Sequence, residues 1–391
     1  CATNLQSTDS MSQKTGDVMA KNSSRRLFIK NATIGSAAIA AATQLPNLGA
    51  GLGAGLAHGA AVRHFDTEVM TGSGDYQYRV KHQFVQLPSE YSWQTTHNVA
   101  VDSQNRIYVI HEGREELKDH PSIFVFDDQG KFIRAFGSQY QGGGHGLEVR
   151  REGSDEFLYV SAYQQVKAFS KLTLDGKVIW SQRAPQESKI YNQEEYDAPK
   201  KVWGRDRFMP TNFAFLPKGG FLLADGYGAF HIHRYDQDGK WLSSFGGAGD
   251  GTGKFNTPHG LWIDDRDEAN PKIVVTDRAH NTLQIFDIDG KYLSTIPGFG
   301  LPANIDCQGQ VLLVPELGAR VSLLDREYKV LAQLGSDVER IRDTKGVRED
   351  ESLWIDGKFV HPHDACFDRN GDILVAEWVR TGRVTKLERV R

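Results

Sequence analysis

The stretch "HGLWIDDRDEANPKIVVTDRAHNTLQIFDIDGKYLSTI", residues 259–296, contains one complete repeat of a β-rich chain. Apolar and polar residues alternate up to an acidic turn, a second apolar run follows, and a polar loop leads into further strand-like runs. A period of two indicates strands that bury one face, and the short turns between them indicate antiparallel neighbours. The stretch therefore predicts a small antiparallel sheet.

The same order of runs and turns occurs six times, with starts 44 to 66 residues apart. The copies lie at 97–113 continued by 122–137, 145–163, 211–246, 259–296, 303–325 and 363–390. Repeats of four short strands at this period are typical of a β-propeller. We predict an all-β fold, a six-bladed β-propeller of the NHL-repeat type, over residues 97–391.

Residues 61–96 form an N-terminal segment ahead of the first repeat. Within it "YQYRVKHQFVQL" (76–87) has the pattern of a strand, which we expect to complete the sixth blade and close the ring. The longer gaps between repeats, around 181–207 and 336–358, are polar insertions that we expect on one face.

Residues 1–60 predict an export signal with an upstream extension. "SSRRLFIK" (23–30) precedes a weakly apolar run rich in Ala and Gly, and small residues suited to cleavage lie near Ala57. Paired arginines ahead of such a run resemble the twin-arginine consensus. The sequence predicts a periplasmic or secreted protein that meets the twin-arginine translocase during export.

The charge balance argues against a nucleic-acid partner. The net charge is −4, and residues 61–391 carry −7, so no basic surplus remains to neutralise phosphates. Cys307 and Cys366 are the cysteines beyond the signal, and we expect two separate buried thiols because they fall on inner strands of neighbouring blades.

Superposing the repeats places four histidines in one register. The copies align on the aspartate of the first turn, and the residue five positions earlier lies on the innermost strand, which lines the channel of a propeller. In chain order these residues are His97, His145, Thr211, His259, Ala303 and His363. With 13 histidines in 391 residues, histidine at four of the six equivalent positions is not expected by chance. A metal-binding ring is one interpretation and a repeated capping hydrogen bond is another; His361 has no counterpart in the other copies, so we expect it at the rim.

The second strand of each blade returns to the face of these histidines, so its last residues predict the mouth of a site. The candidates there are His111, Glu112, Tyr163, Tyr227, Arg278, Glu316, Glu377 and Trp378. Three imidazoles with an open fourth position are the pattern of catalytic zinc. Tyr227 is then placed to transfer a proton, and Arg278 to hold a carboxylate or an oxyanion. The simpler alternatives are a packed turn at Tyr227 and a surface ion pair between Asp277 and Arg278.

Over residues 97–390 the sequence resembles peptidyl-α-hydroxyglycine α-amidating lyase. The shared motifs are "GHGL", "PHGL" and "PHDA" around His145, His259 and His363, "DGY" at 225–227 and "DR" at 277–278. The resemblance implies zinc on the three histidines, catalysis by Tyr227 with Arg278, and a structural calcium. It implies calcium ligands at Asp364 and at the main-chain oxygens of Val99 and Leu147.

Two positions depart from that family. Glu112 stands where the family has an arginine, and His97 stands where it has a small residue. His97 is therefore a candidate fourth ligand, and a four-histidine ring also suits iron, as in the carotenoid-cleaving dioxygenases that it resembles in this respect.

The sequence predicts an exported, monomeric, metal-dependent enzyme. Its expected chemistry is lyase-like cleavage of an α-hydroxyglycine-type (carbinolamide) or related small-molecule or peptide substrate, with Zn²⁺ or Fe²⁺ and a structural Ca²⁺. Two alternatives stay open: a non-catalytic NHL propeller that binds a peptide, glycan or envelope partner, and a four-histidine iron oxidoreductase.

Overall fold

A computed structural model describes residues 68–391, which form six antiparallel sheets. The prediction of an export signal over residues 1–60 lies outside the described residues. Within residues 68–391 the helices are short, and none has the length and hydropathy needed to cross a bilayer. The prediction of an all-β, six-bladed propeller is confirmed.

The first half of the ring begins after two short strands, β1 (Met70–Thr71) and β2 (Tyr78–Lys81). Blade 1 contains β3 (Thr96–Val101), β4 (Ile107–His111), β5 (Ile123–Phe126) and β6 (Phe132–Phe136). Blade 2 contains β7 (Gly144–Glu152), β8 (Asp155–Ala162), β9 (Ala168–Thr173) and β10 (Val178–Gln182). Helix α1 (Glu194–Asp197) precedes blade 3, which contains β11 (Phe213–Phe215), β12 (Phe221–Ala224), β13 (His231–Tyr235) and β14 (Trp241–Gly246).

The second half repeats this arrangement. Blade 4 contains β15 (Pro258–Asp264), β16 (Lys272–Asp277), β17 (Thr282–Asp287) and β18 (Tyr292–Pro297). Blade 5 contains β19 (Asp306–Gln308), β20 (Val311–Glu316), β21 (Arg320–Leu324) and β22 (Val330–Leu334). Helix α2 (Val338–Asp343) precedes blade 6, which contains β23 (Pro362–Phe367), β24 (Ile373–Glu377) and β25 (Arg383–Arg389). Five 3₁₀ turns complete this part of the chain: Gly74–Tyr76, Ser138–Tyr140, Gln186–Ser188, Arg278–His280 and Glu351–Leu353.

The N-terminal strand β2 closes the ring. It pairs antiparallel with β25, with Tyr78 opposite Arg389 and Val80 opposite Leu387, and β1 extends the same sheet. The fourth strand of blade 6 is therefore β2, which comes from the N-terminal segment and lies within the predicted stretch 76–87. Pairing here covers the edge that β25 would otherwise expose.

The acidic turns of the repeat have a hydrogen-bonding cause. The Asp127 carboxylate accepts from the backbone N–H groups of Gln129 and Lys131, at 3.0 and 2.8 Å. The same two bonds, to the residues two and four positions later, recur at Asp102, Asp236, Asp287, Asp325 and Asp368. Asp102 and Asp368 lie in the turn after the first strand, on which the repeats align, and the other four lie in the turn after the third strand. In both turns an aspartate satisfies the backbone of its own turn.

The core lies between neighbouring blades. Tyr108 and Ile110 of β4 pack with Leu147 of β7 and Leu158 of β8, all almost completely buried. Each fully buried side chain of this kind contributes about 1.5–3 kcal/mol. Cys307 and Cys366 are free thiols on inner strands, half-buried rather than fully buried as expected. This packing fixes the inner strands and hence the side chains that line the channel.

Candidate metal centre at the channel mouth

Four histidines form a closed ring on the channel axis. The ring centroids of neighbours are 4.8 Å apart for His97–His145, 4.7 Å for His145–His259, 4.7 Å for His259–His363 and 4.6 Å for His363–His97. Each side chain belongs to a residue that is only 1–2% exposed. The structure thus brings together all four histidines that the repeat register aligns.

A local irregularity aims each histidine at the axis. In β3, β7, β15 and β23 the pairing with the second strand shifts register at the histidine. Such a bulge rotates one residue out of the regular alternation, and bulges are common beside functional sites. The same device in four blades explains how one sequence position can point inward in each.

Three of the four histidines are anchored through Nδ1 to the next blade. His145 donates to the Thr211 carbonyl at 3.0 Å, His259 to the Ala303 carbonyl at 2.7 Å, and His363 to the His97 carbonyl at 2.7 Å. Because a carbonyl can only accept, Nδ1 carries the hydrogen and Nε2 keeps its lone pair. Metal-ligating histidines have this arrangement.

The anchors divide the blades into two alternating sets. Blades 2, 4 and 6 supply the anchored histidines, and blades 1, 3 and 5 supply the carbonyls at the equivalent position. Gly146 and Gly260 follow two of the histidines, and a Cβ there would lie 2.2 Å from the Thr211 oxygen and 2.6 Å from the Ala303 oxygen. The close approach of adjacent blades therefore requires glycine at both positions. The aligned repeats do not show this alternation, because blade 1 also has a histidine at this position, and only the hydrogen bonds distinguish the two sets.

Two trios of histidines could hold an ion. One ligand atom each from His97, His145 and His363 lie within 4.8 Å of one another. The anchored trio replaces His97 with His259, whose Nε2 lies 3.0 Å from that of His145. The two trios share His145 and His363. The fixed tautomers favour the anchored trio, with His97 beside it.

Burial keeps these imidazoles neutral. Desolvation lowers the pKa of His145, His259 and His363 well below the ordinary value, and the nearby Arg278 guanidinium acts in the same direction. Neutral imidazole is the form that binds a metal. The ring thus fits a divalent ion with nitrogen ligands.

Tyr227 and Arg278 lie directly on the ring. The Tyr227 hydroxyl is 2.9 Å from His259 Nε2, and Arg278 donates to that hydroxyl at 2.9 Å through Nη1. The other terminal nitrogen of Arg278 is 3.4 Å from His363 Nε2. Burial raises the pKa of Tyr227, although Arg278 opposes the shift, so the phenol is protonated at neutral pH.

Arg278 is a buried cation without a counter-ion. It is 9% exposed, it makes no ion pair within the described part of the chain, and its Nε has no hydrogen-bond partner. The adjacent Asp277 instead accepts from Asn256, His280 and Gln284. The alternative of a surface Asp277–Arg278 ion pair is therefore wrong. An unpaired guanidinium at a channel mouth is suited to bind a carboxylate.

The loop that carries Tyr227 is held by Asp225. This buried carboxylate accepts from the backbone N–H groups of Met209, Gly228 and Ala229, at 2.7, 3.1 and 2.5 Å. The Tyr191 hydroxyl adds a further bond at 3.0 Å. Tyr227 is consequently positioned by a rigid loop.

Three of the predicted mouth residues are structural. Glu316 pairs with Arg320 at 2.8 Å and accepts from the Gly300 N–H. Glu377 pairs with Arg383 and accepts from the Val360 N–H at 2.7 Å. His111 accepts from the Gln94 N–H at 3.3 Å. All three predicted residues are completely buried. They tie each second strand to the loop between blades, so they are corrected from ligand-facing to loop-anchoring side chains.

The other predicted mouth residues remain accessible or border the ring. The carboxylate of Glu112 is 3.5 Å from His97 Nε2, and the Tyr163 ring is 5.1 Å from that of His145. Trp378 lies at the rim, where it contacts His361 and is covered by Arg348, whose guanidinium carbon is 3.6 Å from the Trp378 ring centroid.

Sequence analysis missed two residues that the insertions bring to the mouth. Trp203, which is 53% exposed, lies 5.5 Å from Tyr227 and 6.1 Å from Tyr163 between ring centroids. Arg348 reaches the same face from the other insertion. No repeat pattern covers these segments, so their packing was invisible in the aligned sequence.

A second group of polar side chains lies further along the inner strands. Asp364 accepts from the Val99 N–H at 2.8 Å and from the Asn304 amide at 2.5 Å. With Glu148 and Asp306 it lines a cavity of about 280 Å³. Burial raises the pKa of Glu148, Asp306 and Asp364, and neighbouring carboxylates add to the shift at Glu148 and Asp364. Val99 lines the same cavity, whereas the Leu147 side chain belongs to the core between blades 1 and 2.

Comparisons with known proteins agree with the fold. A gluconolactonase from Xanthomonas campestris superposes with a TM-score of 0.52 at 12% identity, covering 83% of this chain and 95% of that one. A protein of unknown function from Bacteroides thetaiotaomicron has a TM-score of 0.51 at 11% identity over 82% and 76%. A streptogramin B lyase has a TM-score of 0.48 at 11% identity over 81% and 98%. No family model and no curated protein matches the sequence. At identities this low the matches show a shared propeller fold and nothing more.

Proposed function

We propose that this protein is a metal-dependent propeller enzyme with lyase-type chemistry on a small anionic carbinol substrate. The observation that carries the proposal is the convergence of three anchored imidazoles on Tyr227 and a counter-ion-free Arg278. A purely structural ring would not leave three lone pairs and an unpaired guanidinium facing one another.

The anchored histidines supply the ligand set, with zinc as the preferred ion and iron as the alternative. When bound by these residues, a divalent ion would supply Lewis-acid chemistry, polarising a substrate hydroxyl and lowering its pKa. Arg278 binds the carboxylate or oxyanion of the substrate through two parallel N–H groups. Tyr163 and Trp203 flank the same space and reduce access of water.

Tyr227 supplies the proton transfer. Cleavage of an α-hydroxyglycine-type carbinolamide breaks the C–N bond: the hydroxyl loses its proton as the carbonyl forms, and the departing nitrogen gains one. Because its pKa is raised, the phenol is protonated at the start and can donate to the nitrogen. The phenolate that results takes up the proton that the substrate hydroxyl releases, so Tyr227 is protonated again at the end of the reaction.

Metal content and ligand substitution test this proposal. The purified full chain is expected to retain one zinc or iron per chain after mild dialysis, and His259→Ala to lose it. His361→Ala is the matched control, because His361 is also anchored by Nδ1, to the Leu317 carbonyl at 2.7 Å, but is not one of the four ring histidines. Retention of metal by His259→Ala, or a wild type without metal, would contradict the proposal. It would favour a propeller that only binds a peptide, glycan or envelope partner.

We also propose that the cavity at Asp364 holds a structural Ca²⁺. The buried Asp364, the half-buried Glu148 and Asp306, and the unpartnered Asn304 side-chain oxygen support it, since hard oxygen ligands suit this ion. Asp364 and the Val99 main chain belong to this cavity. Addition of Ca²⁺ to chelated protein is expected to raise the Tm; an unchanged Tm would count against a site here.

Export through the twin-arginine pathway is proposed on the sequence of residues 23–61 alone. It would deliver the folded chain to the periplasm or the exterior as a monomer. Replacing Arg25 and Arg26 by lysine should retain the protein in the cytoplasm, as judged by fractionation.

A further inference from the structure

His97 differs from the other three ring histidines in its hydrogen bonding. Neither of its ring nitrogens has a hydrogen-bond partner, although the residue is only 1% exposed. Its carbonyl accepts from His363, so its backbone belongs to the anchoring system while its side chain does not. A buried imidazole with two unsatisfied nitrogens is unfavourable unless a ligand engages it.

Glu112 is the acidic residue that faces His97. Its carboxylate is 3.5 Å from His97 Nε2 and is also bonded by the Gln164 side-chain amide. The Glu112 backbone is fixed from both sides, because its N–H donates to Thr95 at 2.8 Å and its carbonyl accepts from Gly144 at 3.1 Å. These two bonds join the chain ahead of blade 1 to the start of blade 2 and leave the carboxylate little freedom to move away.

The His97 ring also borders the shared edge of the metal centre. It lies 4.8 Å from the His145 ring and 4.6 Å from the His363 ring, and one ligand atom of each of these three histidines lies within 4.8 Å of the others. His97 therefore borders the space between His145 and His363.

We propose that Glu112 and His97 act as one unit that adds a fourth imidazole to the metal centre. Glu112 holds the N–H of His97 and is the positioning residue; His97 presents its other ring nitrogen to the ion. A carboxylate behind a ligating histidine fixes the tautomer and increases the basicity of the ligand. This inference rests on the proposed metal-dependent function. It accounts jointly for a histidine and a glutamate that face each other at the two positions where the sequence departs from the lyase that it resembles.

The arrangement changes what the substrate meets. With His145, His259 and His363 alone, a tetrahedral ion keeps one position for substrate. With His97 added, four imidazoles would be available to the ion, and a substrate oxygen would be a fifth ligand. Metals that tolerate five or six ligands are then favoured over a strictly tetrahedral centre.

Cobalt reconstitution of the full chain tests the unit with a readout other than activity. Co²⁺ affinity is measured by competition with a chelator, and the visible absorption of bound Co²⁺ reports its coordination number. We expect Glu112→Ala to weaken Co²⁺ binding about 10–100-fold, as is typical for loss of an outer carboxylate. His97→Ala should weaken it at least as much and should change the visible spectrum. Glu112→Gln, which keeps an oxygen acceptor and the shape of the side chain, should lose less than Glu112→Ala.

The double variant His97→Ala/Glu112→Ala separates a positioning role from an unrelated structural one. If Glu112 acts through His97, the double variant binds Co²⁺ no more weakly than His97→Ala alone. Additive losses, or wild-type affinity in both single variants, would overturn the inference. Glu115→Gln removes the same charge from an exposed position of the same loop and is the matched control, expected to bind Co²⁺ like the wild type.

The proposed function and this inference fail differently. If His145→Ala, His259→Ala and His363→Ala also leave Co²⁺ binding unchanged, the metal centre itself is wrong. If those three variants lose the ion and the Glu112 and His97 variants do not, only the fourth ligand is wrong.

Discussion

The histidine ring and the carboxylate cluster occupy one channel and differ in almost every chemical respect. The ring offers neutral nitrogen ligands beside a cation and a phenol, and the cluster offers three carboxylates and amide oxygens. His363 and Asp364 are consecutive residues of β23, yet one belongs to each group. Borderline-soft nitrogen sites suit zinc or iron, and hard oxygen sites suit calcium. A single β-strand can thus contribute neighbouring residues to two groups of different chemistry, because the bulge at the histidine breaks the simple alternation of its side chains.

The sharpest way to break this comparison is to substitute the two neighbours separately. His363→Ala should abolish stoichiometric zinc or iron and leave the increase in Tm on Ca²⁺ addition intact, because only a nitrogen ligand is lost. Asp364→Asn should show the reverse. Metal analysis and thermal melts of the two variants check both outcomes. Loss of both properties in both variants would mean that the two groups are one coupled site.

A second prediction concerns chemistry without metal loss. Tyr227→Phe removes the hydroxyl that contacts His259 and Arg278 but keeps the ring that packs beside Tyr163. Loss of a proton-transfer group lowers kcat by about 10²–10⁴-fold. Turnover of a carbinolamide substrate and metal content are measured together; an unchanged kcat would exclude Tyr227 from the proton transfer.

A third prediction uses the pH dependence of the cluster. Burial raises the pKa of Asp306 to about 6, from an ordinary value of 3.8. Between about pH 4 and pH 6 the folded state therefore binds more protons than the unfolded state, so stability decreases as pH rises through this range. The loss for this one group is about 1–3 kcal/mol, and it is complete above pH 6.

Calcium should reverse that trend, because it binds the charged carboxylates. The buried neutral histidines act in the opposite direction, so the quantity to compare is the difference in free energy of unfolding between chelated wild type and Asp306→Asn. From pH 5 to pH 7 this difference should become less favourable to the wild type, and added Ca²⁺ should remove the change. Asp306→Asn is the control that cannot titrate. If the difference between wild type and Asp306→Asn is the same at pH 5 and pH 7 under chelation, the pKa of the Asp306 carboxyl is not raised and this prediction is wrong.

The smallest expected effect concerns the aromatic rim. Trp203 is half-exposed and contacts Tyr163 and Tyr227, so Trp203→Ala should leave the free energy of unfolding nearly unchanged. If Trp203 borders the bound substrate, its loss should raise KM about 3–10-fold, which corresponds to one aromatic contact. A change in kcat with KM unaltered would place the ring against the reacting atoms instead.

Sequence repeats determined the propeller, the four-histidine ring and the convergence of Tyr227 with Arg278. Each of these follows from a register that is local in the chain: the acidic turn sets the phase, and every equivalent residue then lies at the same height around the axis. The role of His111, Glu316 and Glu377 was misjudged for a related reason. These residues do lie at the predicted ends of the second strands. Their side chains, however, accept hydrogen bonds from backbone N–H groups of the loops between blades, and no sequence pattern shows which group a buried polar side chain will bond.

The tertiary structure alone decided the rest. The alternation of anchored histidines and carbonyls depends on how closely adjacent blades approach, and Glu148, Asp306 and Asp364 meet only because three different blades contribute them. Trp203 and Arg348 come from insertions that do not repeat. Glu112 faces His97 because its backbone is hydrogen-bonded to the chain ahead of blade 1 and to the start of blade 2. Contacts between non-equivalent positions of different blades have no period in the sequence. Packing, burial and hydrogen-bond satisfaction determine them, and these are properties of the assembled ring.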